Sequence, residues 1–324
     1  MTTNGGILAS SIESSAQGAE QCVPLRFSRA RRRLGVVALA LLTAGCSSTE
    51  FLLANAPTVF DDLDRHVDLS YGQDPRQHLD IYAPRHAVNR PVVIFWYGGS
   101  WTKGSKAHYR FVGTTLAERG FVAVLPDYRL YPPATFPLFD EDGARAVAWV
   151  EQHAQEFGGD PRHIVLMGHS AGGHTAAFLA FNHAFLEKFG ADPHAISGLV
   201  GLSGTYVLVP DTDTLRATFP SPYTERDWQP IRFVDAHAPP TLLLHGLDDT
   251  DVLPQEATEL RDALLRNHVQ VELHLYSHRG HRDTVASFAP LMRWRTPAVE
   301  EAVTFIESVT RSGASAGMRR YVNN

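Results

Sequence analysis

The stretch HIVLMGHSAGGH, residues 163–174, sets the reading of the whole chain. HIVLMG (163–168) is a continuous apolar, β-branched run of the kind that forms a strand buried on both faces. From Ala171 the residues are small and read as a helix. Between the two lies G-x-S-x-G, with Gly168, Ser170 and Gly172 at its fixed positions. A strand that passes straight into a helix must turn sharply. The residues around the serine must then tolerate close backbone approach, which glycine allows. Such a turn lifts the serine hydroxyl to the carboxyl edge of the sheet, where ligands bind in open α/β sheets. Ser170 is therefore the candidate nucleophile.

Working outward, the same strand-then-helix rhythm repeats. HLDIYAP (78–84), PVVIFWY (91–97), FVAVLP (121–126), ISGLVGL (196–202), TLLLHG (241–246) and VELHLY (271–276) all have strand character. Helical patterns fall near 107–119, 140–157, 254–267 and 295–310, with another beginning at Ala171. Alternation of this kind predicts a mostly parallel sheet covered by helices on both faces. Residues 203–240 break the rhythm with six prolines and with Phe219, Tyr223 and Trp228, so they read as an irregular insertion before the acid-bearing strand. Residues 46–70 read as a lead, 71–311 as the catalytic domain and 312–324 as a tail.

A serine hydroxyl is a poor nucleophile without a base, an orienter for that base and donors for the oxyanion. Gly98-Gly99-Ser100 follows the buried strand ending at Tyr97 and can aim bare backbone N–H groups at developing charge. The N–H of Ala171, next to the serine, would complete the hole. Downstream, TLLLHG runs into three carboxylates, Asp248, Asp249 and Asp251, and VELHLY is followed by His278 and His281. Composition alone does not choose among these acids or between these histidines. The chain order Ser, Asp, His differs from both serine-protease orders. His169 and His174 flank the serine and read as packing or hydrogen-bonding groups, while Trp101, Phe219, Tyr223 and Trp228 read equally as pocket lining or core.

These stretches carry a family resemblance. WYGGSW (96–101), DYRLYPPATFP (127–137), EDGARAVAWV (141–150), FGGDP (157–161), GHSAGGH (168–174) and HGLDD (245–249) resemble the bacterial α/β-hydrolases of the carboxylesterase/lipase superfamily, in the hormone-sensitive-lipase-like and feruloyl-esterase-like branch. The resemblance implies the α/β-hydrolase fold, Ser170 as nucleophile, His281 as base and Asp249 as orienter. It implies Gly98, Gly99 and Ala171 as oxyanion donors, an ester substrate and no cofactor or metal. Tyr97 and Ser100 stand where the family usually has H-G-G-G, and the long N-terminal cap of that family is missing. An arylformamidase or a feruloyl-type esterase is the alternative enzyme. A catalytically silent hydrolase fold serving as a surface binding lipoprotein is the non-enzyme alternative, which the intact Ser/Asp/His set disfavours.

The two ends of the composition argument agree with an exported, folded protein. RFSRARRR (26–33), the apolar run 34–42 and TAGC (43–46) have the layout of a secretory signal. The ending LLTAGCSS resembles a bacterial lipobox, which implies cleavage before Cys46, lipid on its thiol and, from Ser47, an outer-membrane address. The apolar run is far short of the ~20 residues needed to span a bilayer. Cys22 and Cys46 are the two cysteines of the chain, so the body beyond them has neither a disulfide nor a thiolate metal cluster. Lys and Arg number 29 against 35 Asp and Glu, a net charge of −6. Loss of residues 1–45 removes five Arg and two Glu and takes the net to −9. A nucleic-acid partner is disfavoured by this acidic balance. The oligomeric state is not legible.

Overall fold

The computed structural model describes residues 46–56 and 62–311; the segment read as a signal, 1–45, and the tail, 312–324, lie outside the described residues. The chain runs through α1 (Cys46–Asn55), β1 (Leu63–Ser70), β2 (His78–Pro84), β3 (Arg90–Trp96), α2 (Arg110–Glu118), β4 (Val122–Pro126), α3 (Leu138–His153) and β5 (Gly159–His169). It continues through α4 (Ala171–Phe181), α5 (His183–Lys188), β6 (Ile196–Leu202), α6 (Asp213–Thr218), α7 (Glu225–Trp228) and β7 (Thr241–Gly246). It closes with α8 (Pro254–Arg266), β8 (Val271–Tyr276), α9 (Asp283–Ala286) and α10 (Ala298–Thr310).

Eight strands form one sheet in the order β1-β2-β4-β3-β5-β6-β7-β8. The pairs β1–β2 and β2–β4 are antiparallel and the other five are parallel. The central strands β4, β6 and β7 and the apolar part of β5 are buried along almost their whole length, which is why their sequences are continuous apolar runs. Helices cover both faces, so each strand passes through a helix before its parallel neighbour.

The chain leaves β3 toward β4 on one side and returns to β5 on the other. The carboxyl ends of β3 and β5 therefore flank the switch point of the sheet, the place where open α/β sheets bind ligands. The register pairs Trp96 with Gly168. Two residues further on, Gly98 and Ser170 come level with each other.

Two readings need correction. Residues 46–70 are not a plain lead: they hold α1 and the edge strand β1. β1 is mostly exposed and is interrupted by a bulge between His66 and Leu69, so no apolar alternation marks it in the sequence. Residues 203–240 are not wholly irregular either, since they contain α6, α7 and a 3₁₀ turn at Pro230–Phe233. Thr212 caps the start of α6, and a capping box with Thr224 and Asp227 opens α7. Trp101, Phe219 and Trp228 are buried and pack with Phe136, Phe139 and His174 in one aromatic cluster, while Tyr223 is partly exposed at its edge. His174 Nε2 reaches Trp228 O at 2.8 Å and ties this insertion to α4.

Candidate active site

Ser170 sits between β5 and α4 with φ 56° and ψ −125°, a strained conformation for a residue with a side chain. The turn is crowded by backbone. A Cβ on Gly168 would lie 2.1 Å from Gly172 O, and one on Gly172 would lie 2.1 Å from Trp96 O. Both glycines are therefore dictated by close approach and not by composition. Ser170 N donates to Leu202 O at 3.1 Å, which fastens the turn to the end of β6.

The glycine loop after β3 lies against this turn. A Cβ on Gly98 would come 2.8 Å from Ser170 Cβ. Gly99 has φ 133°, and a Cβ there would strike Lys103 O at 2.1 Å. Gly99 O accepts from Thr102 N and Lys103 N, which closes a tight turn in this loop. Tyr97 replaces the usual histidine and has its own work. Its hydroxyl donates to Asp127 Oδ1 at 2.7 Å and accepts from Arg76 Nη2 at 2.7 Å. Lys106 N donates to the same Asp127 oxygen, and Tyr128 Oη donates to Tyr97 O. A partly buried polar strap thus holds both ends of the 97–106 loop.

The candidate acid and base lie just past β7 and β8. Gly246 ends β7, and a Cβ there would sit 2.3 Å from Arg279 O, so the turn after β7 and the loop after β8 pack backbone to backbone. Leu247 N donates to Tyr276 O and Asp248 N to Arg279 O, both at 2.9 Å. His281 Nδ1 donates to Asp249 Oδ2 at 2.9 Å, with the carboxylate side chain fully buried. Asp249 Oδ1 accepts the amides of Asp251 and Val252. Burial would raise the Asp249 pKa, but the contacts from His245 and His281 and the Val252 amide outweigh it and hold the carboxyl below its ordinary range. The other pairing, His278 with Asp248, is solvent-exposed and 3.9 Å apart.

The structure thus brings Asp249 and His281 together and leaves Asp248 and His278 at the surface. Gly98 and Ser170 adjoin, with Ala171 opening α4 beside them. Two histidines gain contacts that residue types alone did not assign. His245 Nε2 lies 3.0 Å from Asp249 Oδ2 and 3.0 Å from Val252 O. His169 Nε2 lies 3.0 Å from His281 O. His169 carried a signal in being next to Ser170. His245 was hidden inside an apolar strand run.

Comparison with solved structures settles the fold. Thermogutta terrifontis esterase 2 phosphorylated by paraoxon matches with a TM-score of 0.63 at 25% identity, over 76% of this chain and 94% of that one. The chain has the α/β-hydrolase fold. A truncated carbohydrate esterase from gut microbiota shares this fold, with a TM-score of 0.66 at 22% identity, covering 76% of this chain and 96% of that one. A family model described as BD-FAE matches residues 79–197 of the chain, and the prolyl oligopeptidase family model matches 141–296. Isoprenylcysteine alpha-carbonyl methylesterase of Arabidopsis thaliana is 31% identical over 266 residues, which are 75% of this chain and 62% of that protein. Esterase LipC of Mycobacterium tuberculosis is 34% identical over 209 residues, 57% of this chain and 51% of that protein. The chain spans about half to three fifths of the length of these curated relatives.

Proposed function

We propose that the protein hydrolyses carboxylic esters through Ser170, His281 and Asp249. The observation that carries this reading is the buried 2.9 Å bond from His281 Nδ1 to Asp249, and a serine held in a strained strand–helix turn supports it. With Nδ1 bearing the proton, Nε2 of His281 is the free base. It takes the proton of Ser170 Oγ as that oxygen attacks the ester carbonyl. The backbone N–H groups of Gly98, Gly99 and Ala171 hold the oxyanion. Collapse expels the alcohol, which takes the proton back from His281, and water then cleaves the acyl-serine by the same route. No cofactor or metal enters these steps. The relatives named above, an isoprenylcysteine methylesterase and LipC, support an ester as substrate.

Hydrolysis of a short-chain nitrophenyl ester by the wild type, lost in Ser170→Ala, is the expected result. Paraoxon phosphorylates the Thermogutta esterase, so it or a fluorophosphonate should label Ser170 here. An unlabelled wild type with no turnover would instead favour the silent binding lipoprotein. The arylformamidase and feruloyl-type readings use the same machinery, and a screen over esters, formamides and feruloylated sugars separates them.

The same proposal includes the address. Cleavage before Cys46 would leave a lipid-bearing cysteine at the first residue of α1 and place the enzyme at the outer membrane. Mass spectrometry of the mature chain should find Cys46 acylated, and an unmodified thiol there would refute the anchor.

A further inference from the structure

His281 stands on the 277–282 loop, beyond β8, a half-exposed strand at the edge of the sheet. Most of what holds this loop ties the base to the acid. Leu247 N donates to Tyr276 O at its root and Asp248 N to Arg279 O within it, Asp249 takes its imidazole, and Gly280 N donates to Asp283 Oδ2. None of these contacts fixes the base relative to the nucleophile, which rides on a different strand three positions away in the sheet.

One hydrogen bond does. Among the described residues, the bond from His169 Nε2 to His281 O, at 3.0 Å, is the one that joins the β5–Ser170 turn to the base loop. The carbonyl can only accept, so Nε2 carries the proton and Nδ1 is bare. Nδ1 is buried without a partner and turns toward the oxyanion loop, where a Cβ on Gly98 would lie 3.1 Å from it. The two imidazole rings are 4.8 Å apart, centre to centre. His169 therefore touches the glycine loop on one side and the base on the other, and is bonded covalently to the nucleophile.

We propose that His169 is a positioning residue: an uncharged imidazole whose Nε2–H sets the main chain of His281 at working distance from Ser170. The proposal rests on the triad reading given above. Three further facts support it. The ring is almost fully buried. Its burial, with the charge His281 gains, drives its pKa down to about 3, against a smaller opposite pull from the His281 carbonyl and Asp249; Arg282 adds to the lowering. A neutral neighbour also leaves His281 free to become cationic during turnover, which a charged one would oppose.

Misplacement of a catalytic group by about 1 Å costs on the order of 10²-fold in rate. His169→Leu, which keeps bulk and loses the donor, should lower kcat by roughly 10–100-fold while KM stays within about threefold. His169→Gln restores an N–H near the Nε2 position and should recover most of that loss. Fluorophosphonate labelling of Ser170 should slow in the Leu variant in parallel with kcat. A Leu variant as fast as wild type, or a Gln variant as slow as Leu at equal folded fraction, would overturn the proposal. If His169→Leu does not fold, nitrogen NMR of the wild type decides: the His169 ring should remain in the neutral Nε2–H form from about pH 5 to pH 8, well above its depressed pKa. A titrating His169 in that window overturns it. Failure of the wild type to be labelled at all would instead remove the triad reading, and this proposal with it.

Discussion

His245 places Nε2 3.0 Å from Asp249 Oδ2, the oxygen that also takes His281 Nδ1. The acid is thus gripped from both sides. His245 belongs to β7 itself, four residues before Asp249, and its Nε2–H is shared with Val252 O. Two amides occupy the other carboxylate oxygen. With its acceptor sites filled by donors from a rigid strand end, the carboxylate has one orientation, and the imidazole of His281 inherits it.

That geometry separates the three clustered acids. Asp249→Asn should lower kcat by about 10⁴, because an amide that donates toward Nδ1 leaves the imidazole in the wrong tautomer. Asp248 is exposed and Asp251 enters the site only through its amide, so Asp248→Asn and Asp251→Asn should stay within about tenfold of wild type. Turnover of a nitrophenyl ester, with circular dichroism to confirm folding, checks all three. A dead Asp251→Asn beside an active Asp249→Asn would overturn the assignment.

The two histidines of the base loop should differ as sharply. The His281 side chain is 12% exposed and bonded to a buried carboxylate, whereas that of His278 is 93% exposed. His281→Gln should abolish turnover and slow organophosphate labelling of Ser170. His278→Gln should change kcat by no more than a few fold. The opposite pattern would move the base to His278.

Tyr97 should matter for the loop more than for the chemistry. Tyr97→Phe removes the buried hydroxyl that bridges Asp127 and Arg76, each of which then keeps only its other partners. Loss of a buried partner costs about 1–3 kcal/mol. The melting temperature should therefore drop, and kcat should fall modestly as the Gly98–Gly99 loop loosens. An unchanged melting temperature and kcat would show that the hydroxyl does not hold the loop.

Asp140, on α3, gives a pH signature away from the site. It is fully buried and accepts the Thr175 hydroxyl on Oδ1, while Oδ2 has no partner. Burial pushes its pKa up to about 8; the Thr175 bond pulls the other way and the Asp142 charge adds to the rise. The folded state therefore keeps this proton while the unfolded chain, titrating near ~3.9, has lost it. Stability from this group is full below about pH 4 and declines as pH rises toward about 8, by up to ~1.4 kcal/mol per unit. Asp140→Asn, which has no proton to lose, should gain on the wild type progressively from pH 5 to pH 8 in chemical denaturation. A constant difference across that range would mean that Asp140 is ionised in the fold.

The local physics of the chain was enough for the parallel core and for the sharp turn that carries Ser170. Continuous apolar runs such as PVVIFWY and TLLLHG have no polar face, so they can only be strands covered on both sides. Gly168, Ser170 and Gly172 encode the turn because the steric requirement is local: what they must avoid lies within a few residues or on the next strand. The edge strand β1 escaped this reading, since an exposed, bulged strand buries too little to leave an apolar pattern. The choice of Asp249 over Asp248 and Asp251, and of His281 over His278, belonged to the tertiary structure. Family spacing pointed the same way, but the residue types are identical. The difference is burial and distance, which arise only when β7 and β8 align Gly246 with Tyr276 and press the two loops together. His245 and His169 were undetermined for the same reason. Their partners, Asp249 with Val252 and the carbonyl of His281, lie across a turn or 112 residues along the chain, and no local pattern records a contact of that kind.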